Sequence, residues 1–340
     1  MLDVALKVFA AGQTDVGQVR QQNEDTLHID EANRVFAVFD GMGGHQAGEV
    51  ASQTARDVLD AAFNDFDREL RDDERLHVGR ALPDSTSLLL RAIRLANRQV
   101  HNQAKANSTQ SGMGTTVVAL AAEADVMAVA HVGDSRAYRL DVDKLVPLTV
   151  DHSWVAEMQA THNLTEEEAG SVVGKNIITR ALGVRENVEV DCQLSRSEPG
   201  QVYLLCSDGL CGFATDTEIF ETASPLRDKP DEVVTALIDL ANDKGGMDNV
   251  TVVVVKVEEV DEAGIPEVER FTLTSESDEL LAIEDEWLKK IEPKLKKKSE
   301  PEPEVVTEPE AKPQSKALLA VIFVVFILIA LAIVYFYPAK

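Results

Sequence analysis

Positive charge is what this chain has least of. Its 340 residues carry 33 Lys and Arg against 59 Asp and Glu, a formal net charge of −26. This excludes the usual nucleic-acid binder, whose affinity comes from a basic surface that neutralises phosphates, so no nucleic-acid partner is expected. Cysteine is scarce too. Cys192, Cys206 and Cys211 are an odd set, which gives no disulfide framework and fits a reducing compartment. No Cys and His stand together at zinc-ligand spacing. The opening MLDVALKVFAAG lacks the basic region and apolar stretch of a signal peptide. No internal repeat is evident.

Hydrophobic residues make up 44% of the chain, enough for one large domain or two ordinary ones. Composition shifts near residue 258. Before it, apolar runs alternate with turn signals, and residues 1–258 are expected to fold. After it, acidic residues, Lys and Pro dominate, as in EPEPEVVTEPEAKPQSK, so 259–316 is expected to be a tether. Within it, Leu280, Ile283, Trp287, Leu288 and Ile291 share one helical face over 277–292, open to a partner or to the chain's own domain. Residues 317–337, ALLAVIFVVFILIALAIVYFY, are uncharged and long enough as a helix to cross a bilayer core. Lys297, Lys298, Lys312 and Lys316 precede the stretch and only Lys340 follows it, which predicts a single-pass cell-membrane protein with its bulk in the cytoplasm.

In the first 258 residues the pattern predicts strands at about 34–39, 116–121, 126–132, 136–140, 187–194, 201–206 and 250–257, with a short TLHI strand after Asp25. Helices are expected over 46–66, 86–106 and 231–242. Runs of strands joined by short turns, without strict strand-helix alternation, indicate an α+β fold of antiparallel sheets covered by helices.

Carboxylates recur at the strand ends. VFAVF runs into Asp40-Gly41, VYLLCS into Asp208-Gly209, and AVAHV ends at Gly133-Asp134. Asp248-Asn249 opens a strand and Glu24-Asp25 precedes another. In antiparallel sheets one strand's start neighbours another's end, so these six carboxylates are expected to converge on one edge. Such a cluster repels itself and calls for compensating cations. Carboxylates with backbone carbonyl and water select hard ions, Mg²⁺ or Mn²⁺.

The motifs TDVGQVRQQNEDT (14–26), FDGMGGHQAGEVAS (39–52), GMGTT (112–116), HVGDSRAYRL (131–140), LTVDHSWVAEM (148–158), NIITRALG (176–183), LLCSDGL (204–210) and DNVTVVVV (248–255) resemble, in order, those of bacterial PP2C-type (PPM family) serine/threonine phosphatases. The resemblance covers roughly residues 8–258. It implies a four-layer α-β-β-α sandwich of two antiparallel sheets flanked by helices. It also implies Mn²⁺- or Mg²⁺-dependent hydrolysis of phosphoserine and phosphothreonine in proteins by a water activated between two ions. The partners implied are phosphorylated Ser/Thr proteins, with Ser/Thr kinases and their substrates among them.

Carried over by motif, Asp40 bridges the ions and the Gly41 carbonyl is a further ligand. Asp208 and Asp248 complete the first ion's set, and Glu24 and Asp25 serve the second directly or through its waters. Asp134 matches a residue that helps Asp208 hold a third, weaker ion. Asn249 is expected to orient Asp248. Arg20 matches the family's phosphate-binding Arg, whose planar fork grips two oxygens. Cys206 and Cys211 read as packing residues. Where some relatives have a His after the Asp-Gly, this chain has Met42, and the nearest His is His45. For His45, a general-acid role and a structural role in its loop are both open, with metal-bound water as another proton donor. The segment 152–176 is expected to form a flap, with Val172-Val173 where relatives often carry His-Pro, ahead of Lys175-Asn176. A non-catalytic phosphoprotein-binding or membrane scaffold module with the same fold is the alternative.

Overall fold

In the computed structural model, residues 6–43, 47–65, 82–162, 177–260, 269–273, 286–290, 292, 293 and 295 are described. All lie in one compact unit, Met1–Lys297. Two antiparallel sheets face each other. One has the order β1 (Lys7–Asp15), β12 (Val250–Glu259), β11 (Val202–Cys206), β8 (Arg136–Leu140), β9 (Leu145–Pro147). The other runs β13 (Glu269–Leu273), β10 (Val190–Arg196), β7 (Val126–Val132), β6 (Val117–Glu123), β3 (Val35–Phe39), β2 (Thr26–Asp30). A short ladder joins β4 (Gly41–Met42) to β5 (Gly114–Thr115).

The central strands read as unbroken apolar runs because both of their faces are buried. In β3, Phe36 and Val38 enter the space between the sheets with Tyr203, Leu205, Val253 and Val255. Val35, Ala37 and Phe39 point the other way, under α1 (Ala47–Asp65) and α2 (Asp84–Ala106). On the far side, Val202, Leu204, Val252 and Val254 pack under α4 (Asp208–Cys211), α5 (Asp216–Ala223) and α6 (Pro230–Asp243). Helix α3 (Trp154–His162) follows β9. The described residues thus form the expected α-β-β-α sandwich. Each fully buried side chain such as Phe36 contributes about 1.5–3 kcal/mol.

The predicted strands and helices over 34–257 are present, with ends shifted by up to three residues. Of the elements that were not predicted, β1 and α5 show why. In β1, Gly12 and a polar end weaken the apolar pattern, yet Gly12 must be small, since a Cβ there would lie 2.8 Å from Ile29 Cδ1. Helix α5 starts at a capping box in which Thr215 and Glu218 hold each other's backbone N–H.

The boundary at 258 needs correction. Strand β12 continues to Glu259, and β13, inside the expected tether, pairs with β10 from Val190↔Leu273 to Leu194↔Glu269. Trp287 and Leu288 are buried in the core that α1 and α2 share with the sheet of β13, so this part of the 277–292 face packs on the chain's own domain. The apolar stretch 317–337, His45 and residues 163–176 of the expected flap lie outside the described residues. Among the described residues, no helix is long and apolar enough to cross a membrane.

Candidate metal centre

Antiparallel pairing brings the acidic strand ends together. Cys206 at the end of β11 stands opposite Val252 near the start of β12, so Asp208 and Asp248 come to the same edge. Phe39 at the end of β3 stands opposite Thr26 at the start of β2, which places Asp40 beside Glu24-Asp25. Val132 at the end of β7 stands opposite Val117, next to the Thr115-Thr116 pair that supports Asp40. Thr116 N–H and the Thr115 hydroxyl both donate to the Asp40 carbonyl, at 2.8 and 2.9 Å.

Close backbone approach explains two glycines. A Cβ on Gly41 would lie 2.3 Å from the Gly48 carbonyl oxygen and 2.4 Å from that of Glu24, and one on Gly48 would lie 2.7 Å from the Glu24 carboxyl carbon. Gly48, in the first turn of α1, instead donates its N–H to the Glu24 carboxylate.

The cluster is electrostatically strained. Burial pushes the Asp25 carboxyl up to about 7, against hydrogen bonds from Thr251 and Ser207 and with help from Asp208 and Asp248. Burial, then Asp208 and Asp151, pushes Asp134 up to about 7 as well. Asp40 is held well above the usual carboxylate range by burial and by Asp25, Asp208 and Asp134. Burial and Asp248 raise Asp208, and burial raises Glu24.

These residues fit a hard divalent pair. The donors are carboxylate and carbonyl oxygens, their mutual repulsion asks for positive charge, and the buried Asp134 Oδ1 has no hydrogen-bond partner. Asp134 and Asp208 line a cleft of about 320 Å³ together with Arg136, Asp151 and Ser153. Arg136 is held there by two bonds to Asp151, at 2.8 and 2.7 Å.

Arg20 reaches the same edge. Its Nη2 donates to Asp248 Oδ2 at 2.7 Å, and about half of its side chain stays exposed. Asn249 meets Asp248 through its main chain, not its side chain. It is the Asn249 main-chain N–H that donates to Asp248 Oδ1, at 2.8 Å. The side chain ties down the preceding loop: Nδ2 donates to the Val16 and Gln22 carbonyls at 3.0 and 2.9 Å, and Oδ1 accepts from Glu24 N at 2.8 Å. The Asn249 side chain therefore positions Glu24, while its main chain holds Asp248. Sequence reasoning also passed over Thr251, whose hydroxyl donates to Asp25 Oδ2 at 2.7 Å, and Ser207, whose hydroxyl accepts from Thr251 N at 2.9 Å. The available signal was a hydroxyl residue inside each ligand motif, in CSDG, DNVT and GMGTT.

Among the described residues, the trio of His, Cys or acidic side chains whose ligand atoms all lie within 4.8 Å is elsewhere, at His131, His152 and Asp191. Its protons oppose a metal. Gly133 N–H donates to His152 Nδ1 at 3.0 Å, so the ring proton sits on Nε2 and goes to Asp191 Oδ2 at 3.0 Å. The Arg180 guanidinium lies 3.0 Å from the same Nε2 and donates to Asp191 Oδ1 at 3.1 Å. The strand-end carboxylates are neighbours without closing to that spacing, as expected of like charges with Arg20 drawing Asp248 aside.

Comparison with known proteins agrees with this geometry. The family model described as protein phosphatase 2C matches residues 14–249. The serine/threonine phosphatase stp of Listeria welshimeri is 36% identical over 255 residues, which are 73% of this chain and 96% of that protein. Among solved structures, serine/threonine phosphatase Stp1 from Staphylococcus aureus is similar with a TM-score of 0.66 and 32% identity, over 76% of this chain and 98% of that one. The catalytic domain of the phosphatase PstP, in complex with two manganese ions, has a TM-score of 0.62 and 34% identity, over 75% of this chain and 100% of that one.

Proposed function

The chain belongs to the protein phosphatase 2C family, and from that premise we propose a phosphatase whose chemistry is confined to the acidic edge of its sandwich. It is a metal-dependent protein serine/threonine phosphatase. The observation that carries the reading is the convergence of Glu24, Asp25, Asp40, Asp134, Asp208 and Asp248, with buried carboxyls driven toward their protonated forms.

Asp40, the Gly41 carbonyl, Asp208 and Asp248 would hold one ion, Glu24 and Asp25 the other, and Asp134 with Asp208 a third, weaker one. When bound, Mn²⁺ or Mg²⁺ supplies Lewis acidity toward water and toward the phosphoryl oxygens. Arg20, half exposed beside Asp248, turns its fork to two phosphoryl oxygens of the substrate and orients the phosphoester. Thr251, Ser207 and the Asn249 side chain keep Asp25 and Glu24 in place. Cys206 and Cys211 are free and buried, and serve as packing residues. His45 remains a candidate for returning a proton to the leaving hydroxyl.

The test is hydrolysis of a phosphothreonine peptide by the full chain with Mn²⁺ and with a chelator. Turnover that requires the metal is expected. Binding of the peptide by a folded sample without turnover at any Mn²⁺ concentration would replace the enzyme with a binding module.

The same reading places the phosphatase at the cytoplasmic face of the cell membrane, where it opposes Ser/Thr kinases. Its support is the uncharged stretch 317–337 and the Lys residues before it. Residues 1–297 form the catalytic body, and the Pro-rich residues 298–316 link it to the span. Fractionation of cells expressing the full chain or residues 1–316 tests this. The full chain should pellet with membranes and the shorter one should not; equal recovery in the soluble fraction would remove the anchor.

A further inference from the structure

The family match ends at residue 249, and about a quarter of this chain has no counterpart in the Listeria relative it covers almost completely. Part of that surplus is built into the sandwich. β13 adds a strand to the edge of β10, with Phe271 and Leu273 turned to the core that also holds Trp287 and Leu288. The opposite face of β13 carries Thr272, and there the strand meets groups that the catalytic assignment left unused.

Thr272 stands opposite Asp191 in the antiparallel ladder, so the two side chains are neighbours on one face, with the Thr272 hydroxyl beside the Asp191 carboxylate. Burial acts to raise Asp191, yet the His152 bond, the neighbouring Thr272 hydroxyl and the Arg180 charge outweigh it and hold the carboxyl below the usual range. Asp191 fixes His152 through Nε2, and His152 Nδ1 accepts the Gly133 N–H at 3.0 Å. The main chain repeats the link: His152 N–H donates to the Gly133 carbonyl at 2.9 Å, and Thr179 N–H donates to the His152 carbonyl at 2.8 Å. His131 stacks on His152 with ring centroids 4.5 Å apart, and burial lowers its pKa to about 4, so it stays a neutral platform. Gly133 adopts φ +115° and adjoins Asp134, the acid with an unpartnered buried oxygen.

We propose that β13 is a positioning strap for the active site, acting through Thr272, Asp191 and His152 on the Gly133-Asp134 turn. The catalytic part of this proposal rests on the phosphatase reading; the hydrogen-bond relay does not. A positive-φ turn with a buried carboxylate beside it is held by few bonds, and two of them come from His152. A neutral His152 with its proton on Nε2 is required for Nδ1 to accept from Gly133, and Asp191 selects that form. By holding Asp191, Thr272 makes the geometry beside Asp134 depend on the seating of a segment that leads from the catalytic body toward the expected membrane span.

Thr272→Val in the full chain removes one hydroxyl and keeps a strand-forming residue. Arg270→Ala is the control on the same strand, outside the relay, since Arg270 donates to Gln193. The amide resonance of Gly133 and the ring nitrogens of His152 are read by NMR without substrate, and kcat and KM are read on a phosphothreonine peptide with Mn²⁺. The strap predicts that Thr272→Val moves the Gly133 and His152 signals and lowers kcat about fivefold, the worth of one neutral hydrogen bond, with KM within about twofold. Arg270→Ala should leave both signals and kcat near wild type. Asp191→Asn should move the same resonances further. Unmoved Gly133 and His152 signals in Thr272→Val and Asp191→Asn, or equal losses in Thr272→Val and Arg270→Ala, would overturn the strap. A wild-type chain with the expected signals and no turnover would instead indict the phosphatase reading.

Discussion

Arg20 answers two charges. It donates to Asp248 at 2.7 Å while half of its side chain stays in solvent, so it can turn toward a phosphoryl group without leaving a buried cavity behind. Arg20→Ala is expected to raise KM for a phosphothreonine peptide by about 10- to 150-fold, the worth of a charge-assisted bond of about 1.5–3 kcal/mol. Steady-state kinetics check this, and an unchanged KM would remove Arg20 from substrate binding. Asp208 makes the complementary case. Asp208→Asn removes a ligand and also relieves repulsion of Asp40 and Asp248. Activity should fall by more than the roughly 10- to 100-fold seen for residues that merely support a ligand. The melting temperature of the metal-stripped chain should nevertheless stay level or rise, and a large drop would show that Asp208 serves the fold. Asp40 and Asp208 were readable from sequence because an apolar strand running into Asp-Gly is a local pattern. The loop-holding role of the Asn249 side chain was not readable, because its partners, the carbonyls of Val16 and Gln22, lie more than 200 positions away.

At the level of elements, the site exists because antiparallel pairing sets the starts of β2 and β12 beside the ends of β3 and β11. The alternation of VFAVF and VTVVVV across two buried faces was legible, since the period of two belongs to the strand itself. Strand β13 was not. ERFTL is short and half polar, and it becomes a strand only because β10 offers an open edge some eighty residues earlier in the chain. The loop before β2 depends in a similar way on Asn249, whose side chain makes three bonds to it. Asn249→Ala should cost about 2–4 kcal/mol by denaturant unfolding and weaken Mn²⁺ binding by loosening Glu24. A stability loss below 0.5 kcal/mol would mean that the loop holds itself.

Across the whole molecule, a formal charge of −26 and a buried acidic edge oppose compaction unless protons or cations intervene. With Asp25 and Asp134 raised to about 7 from the ordinary value of 3.8, the folded metal-free chain binds more protons than the unfolded one between those values. Its stability is therefore greatest at low pH within that window and falls as pH rises toward 7. Divalent ions should restore what those protons supplied and displace them on binding. Calorimetric titration of the metal-stripped full chain with Mn²⁺ at pH 7, repeated in buffers of different ionisation enthalpy, measures this directly. The account predicts binding of at least two ions, with heats that change from buffer to buffer because protons leave the carboxyls, and with Asp208→Asn losing a site. Saturating Mn²⁺ that produces no binding heat in any buffer, or heats that stay the same in all of them, would contradict a metal centre built on these carboxylates.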